Sequence, residues 1–231
     1  MRVLLISANT EQVNIPPLPL GLDCVAQAAR NAGHEVELLD LMSRGDIRSA
    51  VVHAHDALRP DVIGVSVRNI DDQSMQAPKF LLERVRDVVS LCRELTNAPI
   101  VLGGAGYSIF PESALDYLNA DMGIQGEGEL AFPVLLERIE KKLDLSDVPG
   151  LYMRGRGLQC ERAFADDLDA LPLPGPRISD RDVTGRGETW LPVQTRRGCP
   201  MDCSYCSTGL IEGRTIRTRS PELVVENIAL R

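Results

Sequence analysis

MRVLLISANTEQVNIPPLPLGLDCVAQAARNAGHEVELLD, residues 1–40, decides the fold. RVLLIS (2–7) is a short apolar run that turns polar at its end, the pattern of a strand buried on both faces. LGLDCVAQAARNAG (20–33) places Leu22, Val25, Ala26 and Ala29 at helical spacing and stops at Gly33. HEVELLD (34–40) is a second strand.

The same alternation continues outward. DIRSAVVHAHDALR (46–59) reads as a helix with Pro60 beyond its end, and DVIGVSV (61–67) as a third strand. KFLLERVRDVVSLCREL (79–95) is strongly amphipathic, and PIVLGG (99–104) is a fourth strand. Pro111 to Leu118 reads as a short helix, DMGIQ (121–125) as a fifth strand and ELAFPVLLERIEKKL (129–143) as the closing helix. Five strands alternating with helices imply an α/β fold: a doubly wound five-stranded parallel sheet, since right-handed crossovers place helices on both faces. In such sheets ligands sit beyond the carboxyl ends of the strands, at the switch point.

Composition agrees with a folded chain. Of 231 residues, 44% are hydrophobic and 25% charged, enough to build a core. The net charge of -8 argues against a nucleic-acid surface, although Arg196 and Arg197 make a local basic site near the cysteines. The N-terminal apolar run is too short for a signal peptide, and no stretch approaches the ~20 apolar residues that span a bilayer. A cytoplasmic location is expected, where six cysteines serve as metal ligands or buried thiols rather than disulfides.

After residue 142 the pattern changes. VPGLYMRGRGLQCERAF (148–164) reads as a β-hairpin around Gly155 to Gly157, and LPLPGP (171–176) opens a proline-rich connector. WLPVQT (190–195) starts a new strand, and Ser220-Pro221-Glu222 opens a helix. The expected organisation is therefore a first domain over 1–142, a hairpin and connector over 143–189, and an incomplete second domain over 190–231.

Cys199-Pro-Met-Asp-Cys203-Ser-Tyr-Cys206 follows that last strand. Three thiolates on one loop can each hold one iron of a [4Fe–4S] cluster, leaving the fourth iron without a protein ligand. Zinc usually takes paired CxxC halves and four ligands, and Cys24, Cys92 and Cys160 are scattered. The CxxxCxxC spacing resembles that of the radical S-adenosylmethionine (SAM) superfamily. The resemblance implies that SAM occupies the fourth iron and yields a 5′-deoxyadenosyl radical, with Tyr205 near the adenine. It also implies an electron donor such as flavodoxin or ferredoxin.

The first domain resembles the cobalamin-binding domain that precedes many radical SAM barrels. The phrases that carry this are PPLPLGLDCVAQAARNAGHEVELLD (16–40), VIGVSVRN (62–69), IVLGGAGYSIFPE (100–112) and ADMGIQGEGE (120–129), in this order ahead of the cysteine loop. The resemblance implies a cobalamin crevice lined by Ser66, Val67 and Arg68, by Gly103, Gly104 and Ala105, and by Gly126, Glu127 and Gly128. Only the serine of the wider fold's Ser-x-Leu pattern carries over. The glycine pair is expected to make room for the nucleotide tail; as tight turns alone, the glycines would have no such role. The wider fold places a cobalt-ligating histidine in the loop after the first strand. Here that loop, from Asn9 to Pro17, has none. His34 is expected at a solvent edge and His53 and His55 on a helix surface, so cobalamin is expected without a protein histidine ligand.

The function implied is the N-terminal part of a cobalamin-dependent radical SAM methyltransferase acting on an unactivated carbon of a small-molecule or peptide substrate. No catalytic side chain is assigned. The alternatives are a non-catalytic cofactor-binding module and a radical SAM enzyme whose first domain has lost cobalamin. A methylthiotransferase would carry a Gly-Cys-x-x-Asn motif, which Cys24 lacks. A barrel of this kind needs on the order of 200 residues, and about 40 follow Trp190. The chain is therefore expected to be part of a longer enzyme. Alone it should not cleave SAM, and residues from about Arg196 onward should be mobile or held only by packing on the first domain.

Overall fold

A computed structural model describes residues 1–11, 18–42, 45–72, 74–175 and 192–230. The first domain runs β1 (Arg2–Ser7), α1 (Leu20–Asn31), β2 (Glu35–Asp40), α2 (Ile47–Leu58), β3 (Val62–Ser66), α3 (Leu82–Leu95), β4 (Ile100–Gly103), α4 (Ala105–Ile109), α5 (Pro111–Leu118), β5 (Met122–Ile124) and α6 (Gly128–Lys141). Local chemistry sets the ends of these elements. The Asp46 side chain accepts the Ser49 amide and so caps α2, which closes at Arg59 in the left-handed region with φ 49°. Pro111 sits in the first turn of α5, where its missing amide has no helical partner to lose.

The strand order is β2-β1-β3-β4-β5, all parallel. Alternate residues of β1 feed two cores. Leu4 and Ile6 pack with α2, α3 and α5 on one face, while Val3 and Leu5 pack with α1 and α6 on the other. The register sets Asp40, Ser7, Ser66 and Gly103 abreast at the carboxyl ends of four neighbouring strands. The order reverses between β1 and β3, so the crevice lies there.

The sheet continues past the five strands read from the sequence. The hairpin β6 (Leu151–Met153) and β7 (Gly157–Leu158) pairs antiparallel against β5, giving seven strands. A hairpin can join an open edge without a crossover helix, which is why it extends this sheet. β4 stops at Gly103, and Gly104 begins the short helix α4, which periodicity did not show. His34 is buried rather than at a solvent edge, because the amino terminus of Met1 lies 3.2 Å from its Nδ1. His53 is exposed and His55 partly so, on α2.

The strand expected over 190–195 is not found among its described residues, 192–195. A two-residue strand, β8 (Arg196–Arg197), follows instead and pairs with β9 (Arg217–Thr218), with α7 (Thr208–Glu212) between them and α8 (Pro221–Ala229) after. Residues 176–191, the end of the connector and the first two residues of the expected strand, Trp190 and Leu191, lie outside the described residues. The cysteine-bearing unit is held against the segment that follows the β6–β7 hairpin. Arg219 donates to the carbonyls of Leu168 and Leu171, and the Ser220 amide donates to Asp169. The guanidiniums of Arg162 and Arg217 each stand over the Phe164 ring, 5.0 Å from its centroid. No helix among the described residues is long and apolar enough to cross a membrane.

Candidate functional site

A cavity of about 420 Å³ opens at the carboxyl ends of the strands, within the size range of cofactor pockets. Its floor and one wall come from the first domain. Ser66 ends β3, and Arg68 stands at the cavity with no hydrogen-bond or ion-pair partner among the described residues. Loss of water around Arg68 lowers its pKa from the usual arginine value. Val67 is fully buried in the core, because side chains alternate along the extended backbone. It reaches the site only through its backbone, which accepts the Gly106 amide at 3.0 Å and donates to the Gly103 carbonyl at 2.8 Å.

The two glycines after β4 differ in role. A Cβ on Gly103 would meet only the Ile124 carbonyl, at 3.9 Å, so this position faces open space. Gly104 has φ +98°, and a Cβ there would stand 2.6 Å from the Val67 carbonyl and 3.0 Å from Ser66 Oγ. Gly104 is thus required by the chain's own fold, and Gly103 is the one whose missing side chain leaves room in the cavity. Ala105 also lines the cavity.

Ser108 links this turn to the next. Its hydroxyl donates to the Gly104 carbonyl at 3.0 Å and accepts the Gly126 amide at 3.1 Å. Gln125 Nε2 donates to the Ser108 carbonyl at 2.9 Å. Nothing in the sequence marked this serine, because the contact joins two turns that only the parallel sheet brings together. Gly126, Glu127 and Gly128 then form the rim. A Cβ on Gly128 would press to 2.8 Å from a Val25 methyl, so this glycine lets α6 close onto α1.

The opposite wall comes from the cysteine-bearing unit: Pro192, Gln194, Arg197, Ile211 and Glu212. Here four nearly dry charges meet. Arg197 Nη2 donates to Glu129 Oε1 at 2.6 Å, and its Nη1 lies 3.3 Å from Glu127 Oε1. Arg217 Nη1 donates to the same Glu127 oxygen at 2.7 Å, and the Ala165 amide donates to the other. Burial works against the charge of Arg197. Glu129 and then Glu127 outweigh it and hold the pKa above the usual arginine value. Of the basic site read near the cysteines, Arg197 is thus neutralised from within, while Arg196 is exposed.

Cys199, Cys203 and Cys206 lie on one loop beside this wall, all as free thiols. Gly198, with φ +88°, turns the chain into the loop. A Cβ there would fall 2.0 Å from the Thr215 carbonyl, so glycine is obligatory. The Cys199 amide donates to Gly213 and the Cys206 amide to Cys203. Cys206 Sγ donates to Thr208 Oγ1 at 3.2 Å. Among the described residues no three His, Cys, Asp or Glu side chains gather as they would around one metal ion. A cubane asks for something wider, since each thiolate takes a different iron. Tyr205 is 90% exposed and touches neither the cavity nor the core.

The profile of the B12 binding domain family matches residues 6–136. The chain belongs to the B12-binding domain family. All three histidines lie away from the cavity of this B12-binding domain, so its residues fit a cobalamin held without an imidazole. Similarity runs beyond the domain. Hopanoid C-3 methylase of Methylococcus capsulatus is 30% identical over 220 residues, covering 91% of this chain and 39% of the relative. TsrM of Kitasatospora setae, a radical SAM methyltransferase solved with tryptophan substrate and a SAM analogue, superposes with TM-score 0.79 and 27% identity over 99% of this chain and 45% of that one. TsrM solved with cobalamin and a [4Fe–4S] cluster gives TM-score 0.76, also at 27% identity, over 98% and 44%. The chain thus spans less than half the length of these relatives, and the match covers the cysteine-bearing unit as well as the B12-binding domain.

Proposed function

We propose that this chain is the N-terminal part of a cobalamin-dependent radical SAM enzyme, a methyltransferase acting on an unactivated carbon of a small-molecule or peptide substrate in the cytoplasm. Residues 1–142 hold cobalamin, 143–189 connect, and 190–231 begin the radical SAM domain. Its electron donor is a flavodoxin or ferredoxin. The observation that carries the proposal is that one cavity wall belongs to the unit that bears the CxxxCxxC loop: Arg197, two residues before Cys199, lines it.

In this proposal Cys199, Cys203 and Cys206 hold the [4Fe–4S] cluster and the cavity holds cobalamin. When bound, the cofactors supply reductive cleavage of SAM and a carrier for the methyl group. The chain's own residues orient and exclude water. Ser66 and the open space at Gly103 receive the cofactor's tail, and Ser108 sets the spacing of the two glycine turns. Arg68 brings to the cavity a cation with no partner among the described residues, and in this reading Tyr205, exposed here, covers the adenine of SAM. Anaerobic reconstitution should load about four irons per chain, and changing the three cysteines together to alanine should abolish this. Equal iron in the triple variant overturns the assignment.

A further inference from the structure

The hairpin that leads into the cysteine loop is unfavourable by itself. Arg197 and Arg217 are direct cross-strand partners in the β8–β9 ladder, and like charges set opposite each other destabilise an antiparallel pair. Each strand has only two residues, and an isolated hairpin is at best marginally stable in water. Yet both side chains are nearly dry, 7% and 8% exposed. The balance comes from across the cavity. Glu127 and Glu129, 4% and 5% exposed, take up the two guanidiniums. Remove either pair and the other is left as stranded buried charge. Gln194 fixes the remaining edge of Arg197, accepting from its Nε at 2.8 Å. Arg197, Glu127, Glu129 and Gln194 all line the cavity.

Resting on the assignment of the cavity to cobalamin and of the loop to the cluster, we propose that Arg197 is a positioning residue that ties the cysteine loop to the wall of the cofactor cavity, so that filling the cavity orders the loop. An occupant packs against the wall that Arg197, Glu127 and Glu129 form, adding its contacts to an attraction that burial already strengthens. Release of the hairpin removes a wall from the occupant. Such coupling is reciprocal: what cobalamin does for the loop, an ordered loop does for cobalamin.

The test is hydrogen–deuterium exchange on the full 231-residue chain, with and without hydroxocobalamin. In the wild type, hydroxocobalamin slows exchange over 196–219 about tenfold, together with exchange over 66–68 and 103–106. In Arg197→Met the hairpin exchanges fast with or without hydroxocobalamin, and affinity for it falls about tenfold, while β1 and β3 amides exchange as in the wild type. Arg197→Lys keeps a charge without the planar fork and gives intermediate protection. Should Arg197→Met fail to fold, Arg197→Met with Glu129→Gln removes the stranded carboxylate, and its hairpin should still exchange fast. Slowed exchange at 66–68 and 103–106 with no change over 196–219 refutes the coupling and leaves the cobalamin site standing. Slowed exchange nowhere overturns both. Wild-type protection of the hairpin in the double variant also refutes the role of Arg197.

Discussion

Ser108 and Gly126 meet at the wall of the cavity: the Gly126 amide donates to the Ser108 hydroxyl at 3.1 Å, tying the turn after β5 to the helix after β4. Ser108 is 1% exposed, so water cannot take over its bonds. Ser108→Ala leaves the Gly126 amide without its partner, at a cost of about 1–3 kcal/mol. A melting temperature lower by several degrees is expected, together with weaker retention of hydroxocobalamin on gel filtration. Unchanged melting and retention would show that the two turns hold their spacing without the serine.

The two glycines after β4 should respond in opposite ways. Gly104→Ala forces a Cβ to 2.6 Å from the Val67 carbonyl at a φ of +98°, which destabilises by about 1–3 kcal/mol. Gly103→Leu meets no such obstacle, since a Cβ there has only the Ile124 carbonyl within 4 Å, at 3.9 Å. It should leave melting nearly unchanged and exclude hydroxocobalamin. Thermal denaturation and gel filtration on the same two variants separate strain from occlusion. Gly103→Leu that still carries cobalamin at wild-type level would move the cofactor's tail elsewhere.

The five parallel strands were legible because each is a short apolar run and each crossover helix has its own period and stop; α1, from Leu22 to Gly33, shows both. The glycine turns were legible as places, from strand ends alone. Their division of labour was not, because it depends on which way each missing Cβ points. Glu127 was read as rim, but its bond to Arg217 joins residues 90 positions apart, and no local pattern records such a pair. The β8 strand was misplaced by a few residues, since WLPVQT has the better strand composition while the ladder falls on two arginines that composition disfavours. Charge from Glu127 and Glu129 overrides local propensity there.

Thiol reactivity should sort the six cysteines. Burial pushes the Cys24 and Cys92 thiols up to about 12, with Glu129 adding to the effect at Cys24. Only the thiolate attacks an alkylating reagent. At pH 8 iodoacetamide should therefore spare Cys24 and Cys92 in the folded chain and modify both in denaturant. Cys206, exposed on its loop, should react in the native chain and be shielded after iron loading. Mass spectrometry of the labelled peptides reads both. Rapid native labelling of Cys24 would mean that α1 opens far more readily than its packing suggests.

Glu129→Gln tests the buried charges from the acid side. It leaves Arg197 buried with one of its two carboxylates gone, and breaking one partner of a buried pair typically costs about 3–5 kcal/mol. The loss should fall on the cysteine-bearing unit: limited proteolysis should cut within 196–219 while the five-stranded sheet persists. Resistance to cleavage equal to the wild type would show that Glu127 alone suffices for both arginines.

The cavity takes Leu5 from the first strand and Glu212 from the end of α7 into one wall system. A nascent chain folds from its N-terminus, domain by domain, so the parallel sheet can close while the far wall is still unmade. The complete cavity therefore exists only after translation has passed Glu212. A large cofactor would meet a half-open shelf before that moment and a bounded site after it, and the closing wall arrives with the cysteine loop attached. If the cavity holds cobalamin and the loop the cluster, as proposed, the two sites become complete together rather than independently.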